Sequence, residues 1–306
     1  MKKLYGITTA MVTPFDESGR VMVESVEKMV EFLVRRGVHC LYPCGTTGEM
    51  LLMSEEDRKL MAETVVRQNK GRLTTYIHVG AMHTDETIRL AKHACDVGAD
   101  GIGVVTPAYF GTNPDAMVEY YRTVCQSVPA DFPVYLYNIP QCAANDLSCG
   151  VIRRILDKCP NVAGIKYSLA DMIRTDDYLN IRDDFDVVQG ADRLLLPALA
   201  MGCPGVVSGV SAVYPEPFVK VYEAFKQGDI ASARRWQKLA NRFAVVLGAG
   251  SNMAMFKSGL KYRGIDAGHM HTPQIDYTES QNKALWEQLE ALETECPEKL
   301  LIPVCE

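Results

Sequence analysis

The chain has 306 residues, a formal net charge of −6 and 47% hydrophobic residues, a length that suits one large barrel or two ordinary domains. Its mildly acidic balance contains no basic block, which argues against nucleic acid or an anionic membrane surface as a partner. No apolar run reaches membrane-spanning length and residues 1–4 lead straight into a strand pattern, so a cytoplasmic protein is expected, with its ten dispersed cysteines mostly reduced.

Residues 6–14 alternate and are rich in Thr and Val, which predicts a first strand, followed by a polar turn to Gly19. Residues 23–36 place Val26, Met29, Val30, Leu33 and Val34 at helical spacing and stop at Gly37. A second strand is predicted over 38–44, with Cys40 and Cys44 on one face. It ends in Gly45, Thr46, Thr47, Gly48 and Glu49. A helix then opens at Ser54, whose hydroxyl caps it while Glu55, Glu56 and Asp57 favour its N-terminus. The alternation continues with strands at 74–79, 101–105, 133–138, 161–168, 186–190 and 205–208. Helices are predicted at 84–97, 115–127, 149–158, 170–181, 194–201 and 215–226. Eight strand–helix units in about 225 residues predict a closed (β/α)8 barrel over residues 1–226, with a doubly wound parallel sheet as the alternative. Residues 227–306 show helical patterns at 229–248, 252–263 and 280–295 and read as a helical bundle packed on the barrel.

In such a barrel, chemistry collects at the C-terminal ends of the strands. Lys166 stands at one of these ends, closing the apolar run Asn161 to Ser168. It either snorkels to water or sits in low-dielectric surroundings as a free amine able to attack a ketone. Thr46 and Thr47 lie between glycines, a pattern that either receives a small carboxylate or simply turns the chain. Tyr135 and Tyr137 are both candidates for core aromatics, and either phenol can carry a proton. Cys40 with Cys44, and His269 with His271, lack the further ligands that a metal centre needs, so no metal is expected.

The segments GITTAMVTPF, GTTGE, TPAYF, YNIP, GIKYS, QGAD and GVVSG occur in the order and near the spacing found in the pyruvate-dependent class I aldolases of the dihydrodipicolinate synthase and N-acetylneuraminate lyase family. The resemblance covers nearly the whole chain and extends to FKSGLKYRGI near the C-terminus. It implies that Lys166 forms an imine with pyruvate, that Tyr137 shuttles the proton, and that Thr46 joins Tyr137 in a hydroxyl relay. Thr47 with neighbouring amides, including that of Gly48, would hold the carboxylate. Tyr109 would enter the site of an adjacent subunit, making a dimer the smallest complete unit and a homotetramer the expected assembly. The carbonyl of Val207 would lie near the lysine; Gly190 and Asp192 stand at the end of strand seven on the substrate side, and Arg193 either meets an acidic substrate tail or is solvated at a helix start. No cofactor is implied beyond the imine itself.

Two departures bear on the substrate. The synthase branch carries an arginine two residues after the proline of its YNxP motif, where this chain has Cys142, and a thiol cannot pair with a carboxylate in bidentate fashion. Sialic acid lyases carry an Asp-Glu pair where this chain has Asp192 and Arg193, and an arginine cannot accept hydroxyl protons. The strand-four pair is Ala108 and Tyr109, which makes room. These features, with HVGA and KYS of lyase character, lead to an expected lyase or aldolase acting on a 2-keto-3-deoxy sugar acid or a related 4-hydroxy-2-keto acid. A true dihydrodipicolinate synthase and a non-catalytic keto-acid sensor are the alternatives.

Overall fold

In the computed structural model, which describes residues 2–296, eight parallel strands close on themselves. They are β1 (Gly6–Ala10), β2 (Cys40–Tyr42), β3 (Thr74–His78), β4 (Gly101–Val105), β5 (Val134–Asn138), β6 (Val162–Tyr167), β7 (Asp186–Gln189) and β8 (Gly205–Ser208). Each pairs with the next, and β8 returns to β1 through Gly6–Gly205 to Thr9–Ser208, which rules out the open doubly wound sheet. The surrounding helices are α1 (Val23–Arg35), α2 (Glu55–Asn69), α3 (Thr84–Asp96), α4 (Pro114–Cys125), α5 (Pro140–Ala143), α6 (Cys149–Leu156), α7 (Met172–Leu179), α8 (Leu195–Ala200) and α9 (Pro215–Lys226). Helix α2 starts as the sequence predicts, with Ser54 Oγ accepting from Asp57 N.

The barrel interior explains an alternation in β4. Its inward positions Gly101 and Gly103 lack side chains because Tyr76 and Tyr42 occupy that space, and a Cβ at either glycine would overlap a tyrosine ring or hydroxyl. Gly164 on β6 is kept bare by the Asp186 backbone carbonyl of β7 and by the Tyr135 ring. Large side chains on β2, β3 and β5 are thus matched by absent ones on β4 and β6, which lets the interior be filled by side chains. The outward residues Ile102 and Val104 join the apolar layer under the helices.

Beyond the barrel lie α10 (Ile230–Val246), α11 (Met253–Tyr262) and α12 (Glu279–Thr294), the last opened by a capping box between Thr278 and Gln281. Phe243, Phe256, Leu260 and Leu289 from these helices share one apolar cluster with Ile7, Met11, Val26 and Val30 of the barrel's first turn. A buried ion pair adds to the junction: Arg263 Nη2 lies 2.7 Å from Glu216 Oε1, and Arg263 Nη1 also donates to the carbonyl of Val213. The end of the expected 227–306 extension, including Cys305, lies outside the described residues.

The structure corrects the second strand. It stops at Tyr42, and Cys44 adopts a left-handed backbone with φ 61°. Cys40 therefore belongs to the barrel interior while Cys44 packs in the outer layer and donates to the carbonyl of Arg58, so the two do not share a face. Helix α5, which carries Cys142, is too short for its pattern to stand out in sequence.

Candidate active site

Strand pairing brings the central residues together. Tyr137 on β5 and Lys166 on β6 are register partners, so their side chains enter the barrel mouth side by side. Lys166 is 4% exposed, and its Nζ lies 4.0 Å from the centroid of the Tyr137 ring. Thr46, in a 3-10 turn over Thr46–Gly48, completes the group: its Oγ1 and the Tyr137 hydroxyl are 3.2 Å apart and share a hydrogen bond. The two tyrosines of β5 separate cleanly. Tyr135 sits deeper and donates to Asp186 Oδ2 at 2.9 Å, leaving Tyr137 as the phenol next to the amine.

Three further residues build this environment. Tyr42 supplies a second aromatic face, its centroid 4.7 Å from Lys166 Nζ. A cation there is stabilised by both ring quadrupoles, by about 0.5–2 kcal/mol for each good contact. His78 stands edge-on to Tyr137 with centroids 5.8 Å apart. Its Nε2 accepts from Val105 N at 3.3 Å, so Nδ1 carries the proton donated to the Cys44 carbonyl at 3.0 Å. Burial, then the charges of Arg58 and Lys166, push the His78 pKa well below the usual imidazole range, and the ring is a neutral wall. Arg58, fully buried, reaches from α2 to donate to the carbonyls of His78 and Gly80 and so holds the strand end that carries the histidine.

The threonine turn is fixed from below and from the C-terminal region. Gly48 packs so closely on Thr13 and the Met11 carbonyl that a side chain would press on both, and its carbonyl accepts from Thr13 Oγ1 at 2.8 Å. Glu49 follows in a left-handed conformation with φ 60°. Its carboxylate meets Lys257 Nζ at 2.7 Å and accepts from the His271 amide at 2.9 Å. Lys257 also donates to the His269 carbonyl and lies over the Phe15 ring. Thr47 Oγ1 borders Gly209, just past β8, so the turn spans from β2 to the strand-eight end.

The remaining expected residues divide. Gly190 abuts Ser168, where a Cβ would overlap the serine side chain, and its amide donates to the Tyr167 carbonyl at 2.7 Å. Val207 is buried in the interior cluster, paired with Thr8 on β1. Asp192 is already engaged, accepting from Ser208 Oγ and from Val210 N, and burial raises its pKa above the usual carboxylate value. Arg193 beside it is exposed. Cys142 is exposed on α5 and lines a cleft outside Thr46 together with Ala108. Tyr109 is not gathered into the site of its own chain: it is 77% exposed, has φ 70°, and packs edge-on against Phe110. The sequence reading missed Tyr42, His78 and the Glu49–Lys257 pair. The inward glycines of β4 were the available signal for Tyr42, because they mark interior space that side chains from other strands must fill.

This geometry has relatives. The model of the dihydrodipicolinate synthetase family matches residues 3–292. The chain is 30% identical over 288 residues to a 4-hydroxy-tetrahydrodipicolinate synthase of Methanospirillum hungatei, covering 93% of this chain and 98% of that protein. It is 36% identical over 248 residues to an N-acetylneuraminate lyase of Rattus norvegicus, covering 79% and 77% respectively. Among solved structures, dihydrodipicolinate synthase from Aquifex aeolicus superposes with a TM-score of 0.89 at 29% identity, covering 96% of this chain and all of that one. Members of the group are class I, pyruvate-dependent lyases and aldolases. A barrel that sets a lysine, a tyrosine and a threonine at its mouth, matched along almost its full length, makes this chain a member of the dihydrodipicolinate synthetase family.

Proposed function

We propose that the protein is a Schiff-base aldolase that cleaves, or in reverse forms, the bond between pyruvate and an aldehyde in a 4-hydroxy-2-keto acid, the class to which 2-keto-3-deoxy sugar acids belong. The observation that carries this reading is the buried Lys166 amine against the Tyr137 ring, with Thr46 hydrogen-bonded to the Tyr137 hydroxyl and no carboxylate paired to the lysine among the described residues.

Lys166 attacks the keto carbon and, after loss of water, forms a cationic imine. Tyr137, hydrogen-bonded to Thr46, gives its phenol proton to the departing water, and the phenolate so formed accepts the C4 hydroxyl proton, which it later returns at C3. The C3–C4 bonding electrons pass to the imine nitrogen, the aldehyde leaves, and the resulting enamine takes a proton at C3 before water releases pyruvate and restores the amine. Thr47 and the amides beside it, including that of Gly48, hold the pyruvoyl carboxylate. The imine is the electron sink, so the reaction requires no separate cofactor. The faces of Tyr42 and Tyr137 favour the cationic imine in particular. Cys142 in place of a cation weighs against aspartate semialdehyde as the aldehyde.

The exposed Tyr109, held with φ 70° beside Phe110, supports an assembly in which it completes a neighbouring subunit's site, within a cytoplasmic homotetramer built as a dimer of dimers. Borohydride reduction with pyruvate present tests the chemistry. A reduced pyruvate adduct on the Lys166 peptide is expected, and an unmodified peptide removes the imine mechanism.

A further inference from the structure

The cleft outside Thr46 has a volume of about 330 Å³ and continues from the Thr46 hydroxyl toward the C-terminal region. Its walls are mostly apolar, from Met50, Val105, Ala108, Ile139, Met253 and Met270, while Ser251, Asn252 and Gln274 add polar side chains from the C-terminal region. No lysine, arginine or histidine is among the described residues that line it. The one carboxylate, Glu49, is already taken by Lys257 and the His271 amide. Asp192, the residue suited to hold sugar hydroxyls, is not part of this lining and already accepts from Ser208 and Val210.

From this we infer that the aldehyde half of the substrate carries an uncharged alkyl or aryl tail, seated between Met50, Val105, Ile139, Met253 and Met270. The inference rests on the imine reading of Lys166 and narrows its substrate. Ser251, Asn252 and Gln274 can meet some hydroxyls of a polyol tail, but those turned toward the methionine, valine and isoleucine side chains find no hydrogen-bond partner there. A carboxylate tail would enter with no cation to meet it. An apolar tail loses nothing polar and gains the burial. The size agrees: a dry apolar cavity of roughly 150 Å³ holds a benzene ring, so this cleft takes one ring or a short alkyl chain and still leaves room for the reacting carbons. The methionines Met50, Met253 and Met270 adapt to tails of different outline.

The test compares pyruvate release from three 4-hydroxy-2-keto acids that differ only beyond C4. They are 4-hydroxy-2-oxononanoate, which yields hexanal; 2-keto-3-deoxygluconate, which yields glyceraldehyde; and 4-hydroxy-2-oxoadipate, which yields a carboxylated aldehyde. The expected kcat/KM is at least about tenfold higher for the alkyl substrate than for either of the others. In Cys142→Arg the order should move in opposite directions, rising for the adipate and falling for the nonanoate, which a general loss of stability would not produce. If borohydride traps pyruvate on Lys166 while the alkyl substrate is cleaved no faster than the polyol or the dicarboxylate, or not at all, the apolar-tail assignment is overturned and the imine reading stands. If no pyruvate adduct forms, both fall together.

Discussion

Two lysines of this molecule are buried almost equally, Lys166 at 4% exposure and Lys257 at 5%, yet their surroundings are opposite. Lys257 has what a buried ammonium requires, a carboxylate at 2.7 Å and a backbone carbonyl, and it ties the threonine turn to the loop at residues 269–271. Its pKa is lowered by burial, with the charge of Glu49 opposing that shift. Lys166 has no salt-bridge partner among the described residues, and its amine faces the rings of Tyr42 and Tyr137. Burial alone therefore does not tell the two apart; the counter-charge does, because Lys257 is bound into a structural ion pair while Lys166 is left without one among the described residues.

Replacing each lysine by methionine, of similar length and no charge, breaks the comparison most directly. Lys166→Met is expected to lower pyruvate release on the order of 10⁴-fold while leaving the thermal midpoint unchanged or raised, measured by coupled assay and by calorimetry. A preserved rate would end the special status of Lys166. Lys257→Met is expected to do the reverse, costing about 3–5 kcal/mol in denaturant unfolding because Glu49 is left buried without its cation. The added change Glu49→Gln should recover part of that cost, and an unchanged midpoint in the single variant would show that the pair contributes nothing.

The aromatic cage sharpens the contrast at a smaller scale. Tyr42→Phe keeps the ring facing Lys166 and should retain kcat within about threefold, whereas Tyr42→Leu removes one face and should lower kcat by roughly tenfold, in line with a desolvated cation–π contact. Equal rates for the two variants in steady-state assays would assign Tyr42 to packing alone. The smallest effect is expected at the surface, far from either lysine. Glu31 bonds Arg72 across α1 and the end of α2, and this hydrogen bond lowers its pKa to about 2 against an ordinary 4.5. A folded pKa below the unfolded one means stability that is present above pH 4.5 and lost as pH falls toward 2. In urea melts, Glu31→Gln should be weaker than the parent by about 0.2–1 kcal/mol at pH 6, and the two should converge near pH 2.

Most of the barrel was readable because strand and helix periods differ, and because glycines such as Gly37 and caps such as Ser54 mark where one gives way to the other. The same regularity placed Lys166 and Tyr137 at strand ends, and family motifs supplied their roles. Other parts did not follow from periodicity. The left-handed bend at Cys44 ended β2 early and turned Cys44 away from Cys40, since one residue of irregular backbone reverses a two-residue alternation. Tyr109 matched its motif, yet in its own chain it lies outside the site, because its loop projects rather than folding inward.

By itself, the amino-acid order determined the strand–helix alternation and the lysine at the end of the sixth strand, which rest on local period and spacing, while the pairing of β8 with β1 decided that the sheet closes. The tertiary structure decided which lysine is paired, which tyrosine meets the amine, and that the described lining of the cleft beyond Thr46 is mostly apolar and holds no cation. Those outcomes depend on contacts between segments far apart in the chain, such as Glu49 with Lys257, and a counter-charge or a pocket wall is a property of what lies across the fold rather than of what lies beside a residue in sequence.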